Sequence, residues 1–161
     1  MLLLSLTPLL SGCGYTLATR NSVIKPGQTL DVKMFANRTY QPNIEAELRL
    51  AFVNELLSRG ETVNGDLPDF VISGEIASLS AQASAFSGND AVMFYRLVLV
   101  VQAQLSDRRS GKVLWKGDES IRQEYPVNTD LALQRNAHSA AVSAACARAA
   151  RLLVGKMNQS F

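Results

Sequence analysis

The sequence predicts an α+β fold: two helices packed on one face of a mostly antiparallel four-stranded sheet, in the order β-α-β-β-β-α. Three observations lead there. Residues 29–35 and the long stretches between Phe70 and Tyr125 alternate apolar and polar side chains, the period of a half-buried strand. Residues 43–59 and 131–157 carry the periodicity or the small-residue content of packed helices. Their order lets both helices cover one sheet face, the simplest packing for such a set.

The first strand is expected at Thr29 to Phe35, with Leu30, Val32 and Met34 inward and Thr29, Asp31 and Lys33 outward. Asn43 to Arg59 then reads as a helix closed by Gly60 in the left-handed conformation. Its polar sector is narrow, and Ala46, Leu48, Leu50, Phe52, Val53, Leu56 and Leu57 occupy most of the rest, so burial on more than one side is expected.

Phe70 to Ala85 starts with Phe70, Ile72, Gly74 and Ile76 on one face, then changes phase to Leu79, Ala81, Ala83 and Ala85. A phase change within a strand predicts a bulge. After the turn Phe86 to Asp90, Ala91 to Asp107 sets Met93, Tyr95, Leu97, Leu99, Val101, Ala103 and Leu105 toward the core. Val92, Phe94, Val98 and Val100 fall on its other face. Lys112 to Tyr125 alternates again, with Val113, Trp115, Ile121 and Tyr125 inward, and the three long strands read as an antiparallel meander. Asn128-Thr129-Asp130 supplies N-caps for a final alanine-rich helix, Leu131 to Met157. Helices on one face leave the face of Phe94, Val98 and Val100 as a large uncovered apolar surface, which predicts a partner interface there.

The amino terminus carries a different kind of signal. Met1 to Leu10 is a short apolar run, and Leu10-Ser11-Gly12-Cys13 resembles the bacterial lipobox, in which cleavage precedes a cysteine that already bears a diacylglycerol. This divides the chain into a lipoprotein signal peptide at 1–12, a lipidated tether at 13–28 and a single α+β domain at 29–161. The run is far shorter than the roughly 20 residues of a membrane span. No Lys or Arg precedes it, which places the expected start codon upstream. With Cys13 acylated, Cys146 has no partner for a disulfide.

The formal charge of +2 with scattered basic residues argues against nucleic acid as a partner. Catalysis lacks a constellation. His138 has no Cys or carboxylate at metal-ligand spacing, Cys146 sits among alanines as an inert core residue, and phosphate-loop, dinucleotide and Gly-x-Ser-x-Gly motifs are absent. No catalytic residue, metal site or cofactor is expected. Asn37-Arg38-Thr39 matches a glycosylation sequon, which the bacterial lipobox makes incidental.

Cys13-Gly14-Tyr15-Thr16-Leu17, Phe35-Ala36-Asn37-Arg38-Thr39, the helix ending at Gly60, Asp69-Phe70-Val71-Ile72-Ser73-Gly74, Tyr95-Arg96, the turn Asp107 to Gly111 and Asn136-Ala137 together resemble the lipopolysaccharide-assembly lipoprotein family LptE. The resemblance covers nearly the whole chain after Cys13. It implies a protein of the outer membrane, lipid-anchored on the periplasmic side, that sits inside the lumen of the LptD β-barrel and helps place lipopolysaccharide in the outer leaflet. Gly14 after the lipidated cysteine fits outer-membrane sorting. The resemblance also implies lipopolysaccharide contact through basic residues near the turn after the second strand and before the last helix. Phe86 to Asp90 holds none, so Arg135 is the matching residue, with Arg96 and Arg122 able to reach the same end. A strand ending in Phe-x-Asn, a helix and a Gly-ended turn also occur in outer-membrane adaptor lipoproteins that activate peptidoglycan synthases or build secretion pores. The start Cys13-Gly14-Tyr15 favours LptE.

Overall fold

The computed structural model describes residues 24, 25 and 27–160. Its elements run β1 (Leu30–Val32), β2 (Ala36–Asn37), α1 (Ile44–Ser58), β3 (Phe70–Phe86), β4 (Val92–Asp107), β5 (Val113–Pro126) and α2 (Leu131–Gln159). The sheet order is β1-β3-β4-β5, with β2 also paired to β3. Both short strands run parallel to β3, and the β3-β4-β5 meander is antiparallel. The α+β architecture is as expected, with five strands where four were predicted, because the first is broken in two.

That break has a local cause. β1 leaves the sheet after Val32, whose carbonyl accepts from Arg49 Nε of α1 at 2.7 Å, and β2 rejoins it at Ala36 opposite Glu75. Between them the phase resets. Met34, expected in the core, is 56% exposed, and Phe35 is buried, its ring 5.0 Å from that of Phe52. Asp31, expected to face solvent, is buried and paired with Lys33 Nζ at 2.9 Å.

α1 ends as predicted. Gly60 has φ +76°, its N–H bonds to Leu57 O, and Glu61 N bonds to Leu56 O, the two-bond closure that a left-handed residue permits. Its burial is narrower than expected. Ile44, Leu48, Phe52 and Leu56 form one buried stripe, while Leu50 and Leu57 are 58% and 53% exposed.

The predicted bulge in β3 lies between Ile76 and Ser78, with further irregularity after Ala83. Across the sheet, Gly74, Ala103 and Gly117 form one row of small residues. A Cβ at Gly74 would strike Gln102 O and the Phe35 ring, and one at Gly117 would fall 2.4 Å from the Trp115 ring. The row therefore lets both aromatic rings approach the backbone. Val113 was expected inward but is exposed, because the β4–β5 register shifts between Leu105 and Ser106.

α2 begins at Asp130, whose carboxylate accepts from Ala132 N at 2.7 Å and Leu133 N at 3.0 Å. Its alanines allow close packing on β4, β5 and α1, with Ala145, Cys146, Ala149, Ala150 and Leu153 fully buried. Leu97, Leu99, Val101, Ala103 and Leu105 of β4 face this helix layer and are buried as predicted.

Candidate functional site

Strand alternation puts Phe94, Val98 and Val100 on the sheet face opposite the helices. The register supplies their neighbours. Val98 lies between Ser80 and Arg122, Val100 between Ser78 and Ser120, and Phe94 between Ala85 and Pro126. Farther along, Gln102 lies between Glu75 and Asp118, and Gln104 between Ser73 and Lys116. Val98 and Val100 are half-buried and Phe94 is 38% exposed. The face is uncovered among the described residues, but it is a narrow apolar strip in a polar field rather than the large apolar surface expected. Reading β4 alone could not show what β3 and β5 place beside it.

The three arginines are not gathered. Arg96 and Arg122 stand on this same outer face, and Arg96 Nη2 is paired with Glu124 Oε1 at 2.8 Å. Arg135 lies on the helix side, in the second turn of α2. It lines an open cavity of about 390 Å³ with Gln41, Tyr125, Gln134, His138 and Ser139. The sheet separates it from the other two.

Tyr125 anchors that cavity. Its ring stacks on Tyr95 at 5.7 Å and meets the His138 ring edge-on at 5.6 Å, fixing α2 over the end of the meander. Burial, with a smaller contribution from Tyr95, raises the Tyr125 hydroxyl above its usual pKa. The β3–β4 turn and the segment leading into α2 lie at one end of the sheet, where Val127 N donates to Met93 O at 2.9 Å. This end exposes Phe86, Met93, Phe94, Leu131 and Leu133. Met93 was expected in the core; the helix layer stops short of it. Alternation alone could not show how far along β4 the cover extends.

Asn37 was read in the sequence only as part of the Phe35 to Thr39 motif and of an incidental sequon, with no structural role, yet it organises the loop into α1. Its Nδ2 donates to Gln41 O at 2.8 Å and Glu45 Oε2 at 2.9 Å, and its Oδ1 accepts from Thr39 N at 2.9 Å and Thr39 Oγ1 at 2.8 Å. Only the crowding of polar residues after Phe35 hinted at such a hub.

Among the described residues no group of three or more His, Cys, Asp or Glu could hold a metal ion, and no helix is long and apolar enough to cross a membrane. Burial, then the nearby charge of Glu47, pushes the Cys146 thiol up to about 12, so it stays an uncharged core group. Cys13, Gly14 and the 1–12 segment lie outside the described residues.

The family model described as LptE, lipopolysaccharide-assembly, matches residues 27–157, nearly all of the fold above. The chain belongs to the LptE family. As an LptE-family protein it is an outer-membrane lipopolysaccharide-assembly lipoprotein and not an enzyme. No curated protein matches it by sequence. Several solved structures share its fold at low identity. Rare lipoprotein B from Shewanella oneidensis is similar at 17% identity and a TM-score of 0.59, over 83% of this chain and 96% of that one. A minor lipoprotein from Acinetobacter baumannii is similar at 14% identity and a TM-score of 0.56, over 83% and 94%. The PelC dodecamer from Paraburkholderia phytofirmans is similar at 17% identity and a TM-score of 0.53, over 80% and 89%. At these identities the likeness is one of fold.

Proposed function

We propose that this LptE-family chain is anchored by lipid on Cys13 after removal of residues 1–12. Residues 13–28 act as tether, and the domain at 29–161 lodges in the lumen of an LptD-like outer-membrane β-barrel that places lipopolysaccharide in the outer leaflet. The family match across 27–157 carries this reading. The outer sheet face is consistent with it: Phe94, Val98 and Val100 within rows of Ser, Gln and charged groups suit a lumen wall of mixed polarity. Lipopolysaccharide is then met through Arg135, whose guanidinium can form paired bonds to phosphate, with Arg96 and Arg122 on the other side of the sheet.

Purification of the tagged chain from detergent-solubilised outer membrane tests the proposal. A large β-barrel companion is expected, together with an amino-terminal peptide that starts at Cys13 and carries acyl mass. A peptidoglycan synthase or a secretion-pore component as the sole companion sinks the barrel reading. An unmodified thiol at Cys13 sinks the anchor.

A further inference from the structure

The sheet-facing stripe of α2 continues beyond the point where its burial stops. Val142, Ala145, Ala149 and Leu153 face the sheet and are buried. The same spacing of three and four residues, carried back toward Asp130, passes through His138, Arg135 and Leu131. Leu131 thus holds a sheet-facing position, yet it is 72% exposed. β4 repeats the pattern at this end. Alternation back from Leu99 and Leu97 through Tyr95 puts Met93 on the helix side, and Met93 is 49% exposed. One apolar group from each layer therefore stands at the rim of the core, uncovered among the described residues, and the space between the layers is open there.

One helical turn behind Leu131 lies the cavity of about 390 Å³ that Arg135 lines beside Tyr125 and His138. No carboxylate is among its lining residues, and Arg135 has no ion-pair partner among the described residues. Asp130, the nearest acidic group along the chain, spends its carboxylate on the amides of Ala132 and Leu133. The walls are held in place. Gln134 Oε1 accepts from Asn128 N at 2.6 Å, and the His138 ring meets Tyr125 edge-on. An unpaired cation close behind two exposed apolar groups suits an amphiphile whose anionic group and hydrocarbon lie near one another. A free anion would gain nothing from the two apolar lips, and a neutral chain nothing from the guanidinium.

We propose that this mouth holds lipopolysaccharide by both of its chemistries, a phosphate at Arg135 and an acyl chain across Met93 and Leu131. The inference rests on the headgroup contact assigned to Arg135 above and adds the hydrocarbon contact. Lipopolysaccharide carries phosphate and acyl chains on one sugar backbone, so the two contacts must lie close together. Leu131 and Arg135 are four residues apart on one helix face, about 6 Å between their Cβ atoms. Laying hydrocarbon over Met93 and Leu131 removes apolar surface of both partners from water. Leu133 is also exposed, but two residues on from Leu131 it turns to the far side of α2 and lies outside the mouth.

Two ligands separate the contacts: fluorescent lipopolysaccharide and the same molecule stripped of its acyl chains, each titrated in one detergent against the full chain carrying Cys13→Ser. The parent should bind the acylated form more tightly. Met93→Ser combined with Leu131→Ser should weaken binding of the acylated form about tenfold and leave the stripped form unchanged, with the melting temperature held because both side chains are exposed. Leu133→Ser should bind both ligands as the parent does, and Arg135→Glu should weaken both. Parent-like binding of the acylated form by the double variant overturns the proposal. So does an equal loss for the stripped form, or an equal loss from Leu133→Ser. Parent-like binding of both ligands by Arg135→Glu overturns the phosphate contact and the reading it rests on, a failure distinct from that of the lips.

Discussion

Asn37 joins the end of β2 to the first turn of α1 through its amide, which donates to Glu45 Oε2 at 2.9 Å while its carbonyl oxygen accepts twice from Thr39. Removing that side chain leaves a half-buried carboxylate, a backbone carbonyl and a threonine without their partner. Asn37→Ala should therefore cost about 1–3 kcal/mol in urea unfolding, well above the effect of an exposed residue such as Asn54→Ala. Equal midpoints for the two variants would show that the hub contributes nothing to stability.

The two faces of β4 should respond oppositely to a carboxylate. Leu99 is fully buried beneath the helices, so Leu99→Asp buries an unpaired charge and should cost about 4 kcal/mol or more. Phe94 is part-exposed on the other face, and Phe94→Asp should change monomer stability by no more than about 1 kcal/mol while reducing recovery of the barrel companion. Similar thermal melts for both variants would refute this assignment of faces.

Lipopolysaccharide binding separates two arginines at opposite ends of the meander. Arg135 opens onto the cavity beside Tyr125 and His138, whereas Arg108 sits in the β4–β5 turn. Arg135→Glu replaces attraction for phosphate by repulsion and should weaken binding of the purified chain about tenfold; Arg108→Glu should leave it close to the parent. Fluorescent lipopolysaccharide titrated against all three proteins makes the comparison. Parent-like binding by both variants would remove Arg135 from the contact.

Alkaline pH should find Cys146. In the unfolded chain its thiol ionises near its ordinary value of 9.0, whereas burial in the fold pushes it up to about 12. The folded state thus holds the proton more tightly. Its contribution to stability is complete below pH 9.0 and is lost as the pH rises from there toward about 12. Cys146→Ala should flatten the fall in unfolding free energy between those limits, apart from a pH-independent offset for the lost sulfur. Parallel curves for parent and variant would show that the thiol is not held neutral by the core.

Much of the fold was legible because its strands are long. The change of phase after Ile76 announced the bulge, the β4 run from Leu97 to Leu105 named the buried face, and Gly60 marked the end of α1. Short elements carried too little pattern. Three residues of β1 cannot reveal that the chain departs at Val32 and returns at Ala36, so Met34 and Phe35 exchanged places and Asp31 went inside. In α1 an apolar side chain at Leu50 or Leu57 looks the same in sequence whether or not anything packs on it.

The proposed site was legible by residue but not by arrangement. Arg96 and Arg122 share the outer face with Val98, as alternation along β4 and its register with β5 require. Arg135 lies on the other side because α2 crosses the sheet above Tyr95 and Tyr125, a relation set by tertiary packing and not by spacing. The salt bridge from Arg96 to Glu124 also joins residues on different strands, and only the register brings them together.

The helix layer ends before the sheet does, and this grades resistance to opening along a single strand. At Ile72 and Ile76, β3 is clamped between neighbours on both edges and capped by packed side chains, so exposing an amide there requires global unfolding. At Ala83 to Phe86 the same strand has β4 as its one neighbour among the described residues, and Ala83 is exposed on the helix side. Its amides can exchange with water by fraying of the hairpin tip while the core stays closed. The end that carries Phe86, Met93 and Phe94 can therefore reshape around whatever it meets without loosening the domain behind it.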